Sequence, residues 1–313
     1  MNRNTSCKPQ VSAAFLADLD VICSSAGNST LVSSFLNDLE TAYASAPAAV
    51  SPKRAGISVV DLNFLEKQLN IWRTHHEELL EQYLRQLPLD DPLFNPVSLF
   101  GTMDYGRLEI AHTRALAWLL GDHEHGFGSK LIESLLLYLL PGRQISLTQT
   151  PRVEGEYQVQ FGLLSTDLGR IDILAEGCWE ESGKEVSWRL ALEAKIDAEE
   201  AEEQLSRYDE WLEQCAQPAE VIRVFLTANG REARTSSAQW QTLSFSELAS
   251  VFRRVPGLQE KPGYHFLRYY LTGVLRDVCG WPIPIGSDCQ NPYAAVSYLE
   301  SVLDVAQREH RHG

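Results

Sequence analysis

The run Trp188-Arg189-Leu190-Ala191-Leu192-Glu193-Ala194-Lys195-Ile196 reads as a buried strand, yet its end carries a carboxylate and an ammonium two residues apart. Strand faces alternate with period two. Trp188, Leu190, Leu192, Ala194 and Ile196 therefore share one side, and Glu193 and Lys195 share the other. Charge inside a sheet is costly unless it is paired or binds a metal, so this placement demands a partner or a task. Upstream, the short apolar run GRIDILAEG carries one acid, Asp172. Between the two runs lies CWEESGKEV, whose centre, Ser182-Gly183, is a turn signal. An antiparallel hairpin about that centre puts Asp172 directly opposite Glu193, where cross-strand Cβ atoms stand about 4.5 to 5.5 Å apart. Two carboxylates and one lysine then converge on a single spot.

Two carboxylates this close repel each other unless a proton or a cation lies between them. Carboxylates, a main-chain carbonyl and water are the ligands of Mg²⁺, with no need of His or Cys. Lys195 adds a point charge that can hold a water or face a phosphate oxygen. Together these parts suit metal-assisted hydrolysis of a phosphodiester, with Mn²⁺ able to substitute for Mg²⁺. A purely structural salt bridge between Lys195 and the acids is the alternative use of the same residues.

The surroundings of this hairpin alternate helix and strand. RLEIAHTRALAWLL and GSKLIESLLLYLL have helical periodicity, and SLTQTPRVEGEYQVQF, GRIDILAEG and VSWRLALEAKI read as strands. AEEAEEQLSRYDEWLEQC is a helix, EVIRVFLTA a strand, and SFSELASVFRRV and YHFLRYYLTGVLRDVCG closing helices. The fold class is α/β, a mixed sheet flanked by helices. In AEEAEEQLSRYDEWLEQC, the acids Glu199, Glu200, Glu202 and Glu203 are expected on the solvated N-terminal face, where the helix dipole favours them. From about residue 10 to 87 the pattern reads as three helices, with Leu62, Leu65, Leu69, Trp72, Leu79, Leu80 and Tyr83 forming an amphipathic stripe on the third. The loop SAPAAVSPKRAG and the Pro-punctuated PLDDPLFNPVSLFG mark boundaries. The expected organisation is an all-helical N-terminal extension over 1–95, a core domain over 96–280 and a helical C-terminal tail over 281–313.

At these residues the chain resembles the PD-(D/E)XK nuclease superfamily, the restriction-endonuclease-like fold. The motif is an Asp at one strand and (D/E)-x-K on the next, here Asp172 and Glu193-Ala194-Lys195, followed by a helix with Q-x-x-x-Y, here Gln204 and Tyr208. Residues four apart share a helical face, so this pair can point together at the site. The order E-x-x-H-T, L-x-W-L-L and HGFGSKL is similar to one poorly characterised bacterial branch. The resemblance spans about residues 100 to 280. It departs from the motif at Ile171, where the family pattern has Pro. It implies a Mg²⁺ held by Asp172, Glu193 and the carbonyl of Ala194, with Glu109 from the preceding helix assisting, and catalysis through Lys195, Gln204 and Tyr208. The substrate implied is nucleic acid, most simply DNA, and defence against foreign DNA is a family-level expectation. The rival reading is a catalytically silent member acting as a binding protein or scaffold through its N-terminal helices.

Other candidates lie around this constellation. His112, one turn beyond Glu109, is a candidate phosphate contact, as are Arg231 and Arg234 in TANGREART. HGFGSK lacks P-loop spacing, and His123 and His125 lack further zinc ligands. Tyr264, His265, Phe266, Tyr269 and Tyr270 read as helix packing. A formal net charge of -15 excludes a broad basic surface, so any phosphate is met by a local patch or by metal. Six scattered cysteines without metal-site spacing read as free thiols, and with no membrane-span pattern a cytoplasmic location is expected. Cutting both strands of a duplex makes a homodimer a candidate assembly.

Overall fold

The computed structural model describes residues 59–161, 168–201, 203–214, 220–235, 239–281, 283–285, 295–296 and 299–300. The first two expected helices, the SAPAAVSPKRAG loop and most of the expected C-terminal tail lie outside them. The chain divides into two compact units, Leu89–Pro284, and Met1–Pro88 together with Ile285–Gly313. In the latter, helix α1 spans Val59–Leu84, with Leu69, Trp72 and Leu80 buried along the expected stripe and the Tyr83 hydroxyl donating to Glu300 Oε1 at 3.2 Å.

The larger unit is built on a six-stranded mixed sheet flanked by helices, as the alternation of elements predicts. Helices α2 (Glu109–Leu120) and α3 (Lys130–Leu139) precede strands β1 (Ser146–Leu147), β2 (Arg152–Gln160), β3 (Leu168–Glu181) and β4 (Lys184–Lys195). Then come α4 (Gln204–Gln214), β5 (Glu220–Thr227), β6 (Gln241–Ser244), α5 (Phe245–Arg253) and α6 (Tyr264–Gly273), which runs into a π-helical turn, Val274–Val278. The strand order is β1-β3-β4-β5-β6, with β2 pairing beside β1 on the outer edge of β3.

The β3–β4 hairpin closes at Ser182 and Gly183, with φ of 55 and 76. Two successive positive φ values give the turn whose twist matches paired strands, and Gly bears one of them without strain. The register that follows pairs Glu181 with Lys184 and runs to Ile173 with Leu192. Beyond β4 the pairing becomes parallel: β4 beside β5 and β5 beside β6. Parallel neighbours need a crossover, which α4 supplies. β4 is buried at every position from Leu190 to Lys195, so both faces of this strand are covered. Leu205, Tyr208 and Leu212 of α4 pack against Val159, Ile171, Leu174, Ala191, Phe225 and Trp240, while α2 lies against β2, β3 and β4.

One expectation is corrected here. α4 begins at Gln204 rather than at Ala198, and residues 198–201 are not helical. Glu200 does not sit on a solvated helical face. Its side chain is 3% exposed and accepts from the backbone N–H groups of Arg234 and Thr235, from Thr235 Oγ1 and from Arg231 Nη1. Four donors converging on one carboxylate stabilise an extended loop here more than a dipole contact would stabilise a longer helix.

Candidate active site

The three strands that run toward the same sheet edge bring Lys195, Thr227 and Ser244 into line across β4, β5 and β6. At this edge the register that pairs Ile173 with Leu192 carries Asp172 and Glu193 onto adjacent strands, and the ladder opens just there. Asp172 uses the opening: its Oδ2 accepts the Ala194 N–H at 2.8 Å. Glu193 Oε1 accepts from Lys195 Nζ at 2.6 Å and from Gln204 Nε2 at 2.6 Å, while Glu193 Oε2 is buried and has no partner. From α2, Glu109 closes the group. Its Oε2 accepts the Ile196 N–H at 3.2 Å and its Oε1 stands 3.5 Å from Lys195 Nζ. The Tyr208 hydroxyl donates to the Arg170 carbonyl at 2.7 Å and receives Gln204 Nε2 at 3.2 Å, so it fixes the amide that touches Glu193.

These charges are buried. Asp172 and Lys195 are each 8% exposed and Glu193 is 1% exposed. Burial pushes the Asp172 carboxyl up to about 6, against the opposing pull of the Ala194 N–H and Lys195. Burial, then the neighbouring Asp172 charge, raises Glu193 further, to about 8. Burial alone would lower Lys195, but Glu193 beside it outweighs that effect and the ammonium is held above its ordinary value. The site therefore concentrates more negative charge than one lysine neutralises.

A family model of the PD-(D/E)XK nuclease superfamily matches residues 98–272, more than half of the chain. The chain belongs to that superfamily. No curated protein and no solved structure matches it. All the residues expected from the resemblance lie inside the matched segment: the hairpin gathers Asp172, Glu193, Ala194 and Lys195, and Gln204 and Glu109 reach the same spot from α4 and α2.

The three candidate phosphate contacts fare differently. His112 is 0% exposed, packs among Phe100, Phe245 and Tyr270, and sits with Nε2 2.9 Å from the Gly106 carbonyl. Burial lowers its pKa, and with no exposed surface its ring packs in the core. Arg231 lies over the Phe225 ring and pairs with Glu200 at 2.9 Å, which commits it to the loop before α4. Arg234 keeps a side chain 71% exposed, 3.8 Å from Glu199, and of the three is the one still open to solvent. His125 is a satisfied core histidine: Nδ1 accepts the Phe127 N–H, and Nε2 lies 2.9 Å from the Gly121 carbonyl.

Sequence reasoning missed the clamp at Arg107. Its guanidinium holds Asp197, two residues past Lys195, and donates to the Asp277 and Val278 carbonyls at the end of the π turn. Nothing in local spacing links residues so far apart. It also missed Glu200, whose acidic run disguised a buried hub.

The donor set fits a hard divalent cation. Glu193 Oε2 is a buried acceptor without a partner, and the carboxylates of Asp172 and Glu109 are gathered at the same strand ends. Among the described residues no three His, Cys, Asp or Glu side chains stand together as a ready ligand cluster. Lys195 and the Ala194 N–H occupy one oxygen each of Glu193 and Asp172.

Proposed function

We propose that this protein is a metal-dependent nuclease that hydrolyses phosphodiester bonds, with DNA as substrate and Mg²⁺ or Mn²⁺ as its ion. One observation carries the reading: Asp172, Glu193 and Lys195 converge in buried form, with an unpartnered Glu193 oxygen, inside the segment that matches the PD-(D/E)XK family. Asp172, Glu193 and the Ala194 carbonyl would hold the ion, with Glu109 beside them. When bound, the ion supplies charge neutralisation at the phosphate and a lowered pKa for water.

The chain's own residues do the rest. Lys195, held charged between Glu193 and Glu109, orients the attacking water by hydrogen bonding and faces the charge that grows on the phosphate oxygens. Gln204 shares Glu193 Oε1 with Lys195 and so sets the direction of the ammonium, while Tyr208 anchors Gln204 to the backbone of β3. Arg234 would add an outer phosphate contact.

The test is cleavage of single- and double-stranded DNA and RNA with Mg²⁺ or Mn²⁺, comparing the native chain with Asp172→Ala and Lys195→Ala. Metal-dependent cutting lost in both variants supports the reading. A second reading, a silent nuclease fold that binds without cutting, draws on the Lys195–Glu193 ion pair, which neutralises part of the site unaided. Native protein that binds nucleic acid but cuts none of these substrates would favour it.

A further inference from the structure

On the β2 side of the acids stands a charge cluster to which the mechanism gives no task. In β2, Gly155 pairs with Ile173 and Tyr157 with Ile171, which leaves Glu156 beside Asp172 where the ladder is broken. Glu156 has φ 53, a left-handed conformation unfavourable for a residue with a Cβ. Each of its oxygens holds a guanidinium: Oε2 accepts from Arg114 Nε at 2.5 Å, and Oε1 from Arg170 Nη1 at 2.8 Å. The carboxylate side chain is only 23% exposed, but those of Arg114 and Arg170 are 64% and 52% exposed.

One carboxylate against two guanidiniums leaves a positive charge. Arg114 is on α2, five residues past Glu109, and Arg170 is two residues before Asp172. The Arg170 charge is close enough to draw the Asp172 carboxyl downward against its burial. A guanidinium presents several N–H donors in a rigid fork that matches phosphate oxygens, and bonding one nitrogen to Glu156 leaves others toward solvent. Glu156 also relieves the repulsion between two cations that would otherwise splay apart. In a chain of net charge -15, a polyanion needs such a local foothold.

We propose that Arg114 and Arg170, held by Glu156, are the phosphate subsite of the active centre and grip a backbone phosphate flanking the one that is cut. The proposal rests on the nuclease reading above. It reassigns the role that spacing gave to Arg231, which Glu200 has taken.

The test uses the full chain in a Lys195→Ala background with Mg²⁺, so that the strand is held but not cut. Binding of fluorescein-labelled single-stranded and duplex DNA is followed by anisotropy across a salt series. Arg114→Ala and Arg170→Ala should each weaken binding about 5- to 20-fold and flatten the slope of log Kd on log salt by about 0.7 to 0.9. Arg170→Lys should keep the slope. Arg143→Ala, whose side chain pairs with Glu220 and Glu181 at the other end of the sheet, should change neither quantity. A double Arg114→Ala, Arg170→Ala variant with unaltered slope overturns the subsite. So does affinity that falls only in step with melting temperature, since that marks a clamp on β2 and nothing more. If the parent binds no oligonucleotide and the native chain cuts none, the nuclease reading falls and takes the subsite with it. Native cleavage with intact slopes removes the subsite alone.

Discussion

At the turn end of the β3–β4 hairpin, Trp179 and Trp188 stack at 6.0 Å with Arg143 over the first ring, and Arg189 bridges to Glu176 across the strands. At the other end of the same two strands, Asp172 and Glu193 are buried together, with one lysine paired to Glu193 and one carboxylate oxygen unmet. The turn end has its own unpartnered groups, the two indole N–H donors, but these are neutral, and leaving them unmet costs far less than confining a carboxylate. The difference separates two tasks along one element. The turn and the tryptophans fix the register, and the register delivers acids that would not choose to meet. The site end is held in place by packing made elsewhere.

Variants at the two ends should therefore fail in opposite ways. The largest effect is expected from Lys195→Ala, which should lower the rate of strand cleavage by about a hundred- to ten-thousand-fold while the protein stays folded, since Glu193, already raised to about 8, takes up a proton where the ammonium was. Loss of folding in step with loss of cleavage would erase the contrast. Trp188→Ala should do the reverse: with Trp188 1% exposed and stacked on Trp179, about 3 to 5 kcal/mol of stability is lost in chemical denaturation. The protein that remains folded should cleave at a rate near native.

The contrast sharpens with pH. Because the folded-state values of Asp172 and Glu193 lie above their ordinary 3.8 and 4.5, their contribution is fully present below those ordinary values and is lost as pH rises through about 6 and about 8. Metal-free protein should thus be less stable at pH 8 than at pH 5, by up to about 1.4 kcal/mol per group and pH unit within that window, and melt at a lower temperature. Mg²⁺ should restore part of the loss at pH 8 by binding the folded state. Glu193→Gln should remove most of this pH dependence and the Mg²⁺ response together, and scanning calorimetry at both pH values reads all four cases. The smallest effect belongs to Arg143→Ala. Its ion pairs are partly solvated, so less than about 1 kcal/mol should change in denaturation and nothing in cleavage.

How much was legible can be traced residue by residue. The approach of Asp172 to Glu193, just past the last pair Ile173 and Leu192, could be read because a two-residue turn at Ser182-Gly183 and two apolar runs leave one register that buries both. Gln204 and Tyr208 could be read because helical spacing is a local rule, and Glu109 because it follows the family order. His112 and Arg231 misled for a common reason. Their types suit phosphate binding, but whether a His is sealed among Phe100, Phe245 and Tyr270, or an Arg is claimed by Glu200, depends on partners far away in the chain. The start of α4 was misplaced for the same reason, since Glu200 prefers four donors from the 230s loop to a helix dipole.

The sequence by itself determined the alternation of elements, the hairpin register and thus the meeting of two acids and a lysine, because turn chemistry and side-chain periodicity act over a few residues. Only the tertiary structure decided which charges are spent and which stay available. Arg231 is consumed by Glu200 and Arg107 by Asp197, while Arg114 and Arg170 lean on Glu156 with most of each side chain in solvent. Coulomb interactions carry no sequence periodicity: a charge is neutralised by whatever the fold brings within a few ångströms, and burial then sets how strongly it feels that neighbour.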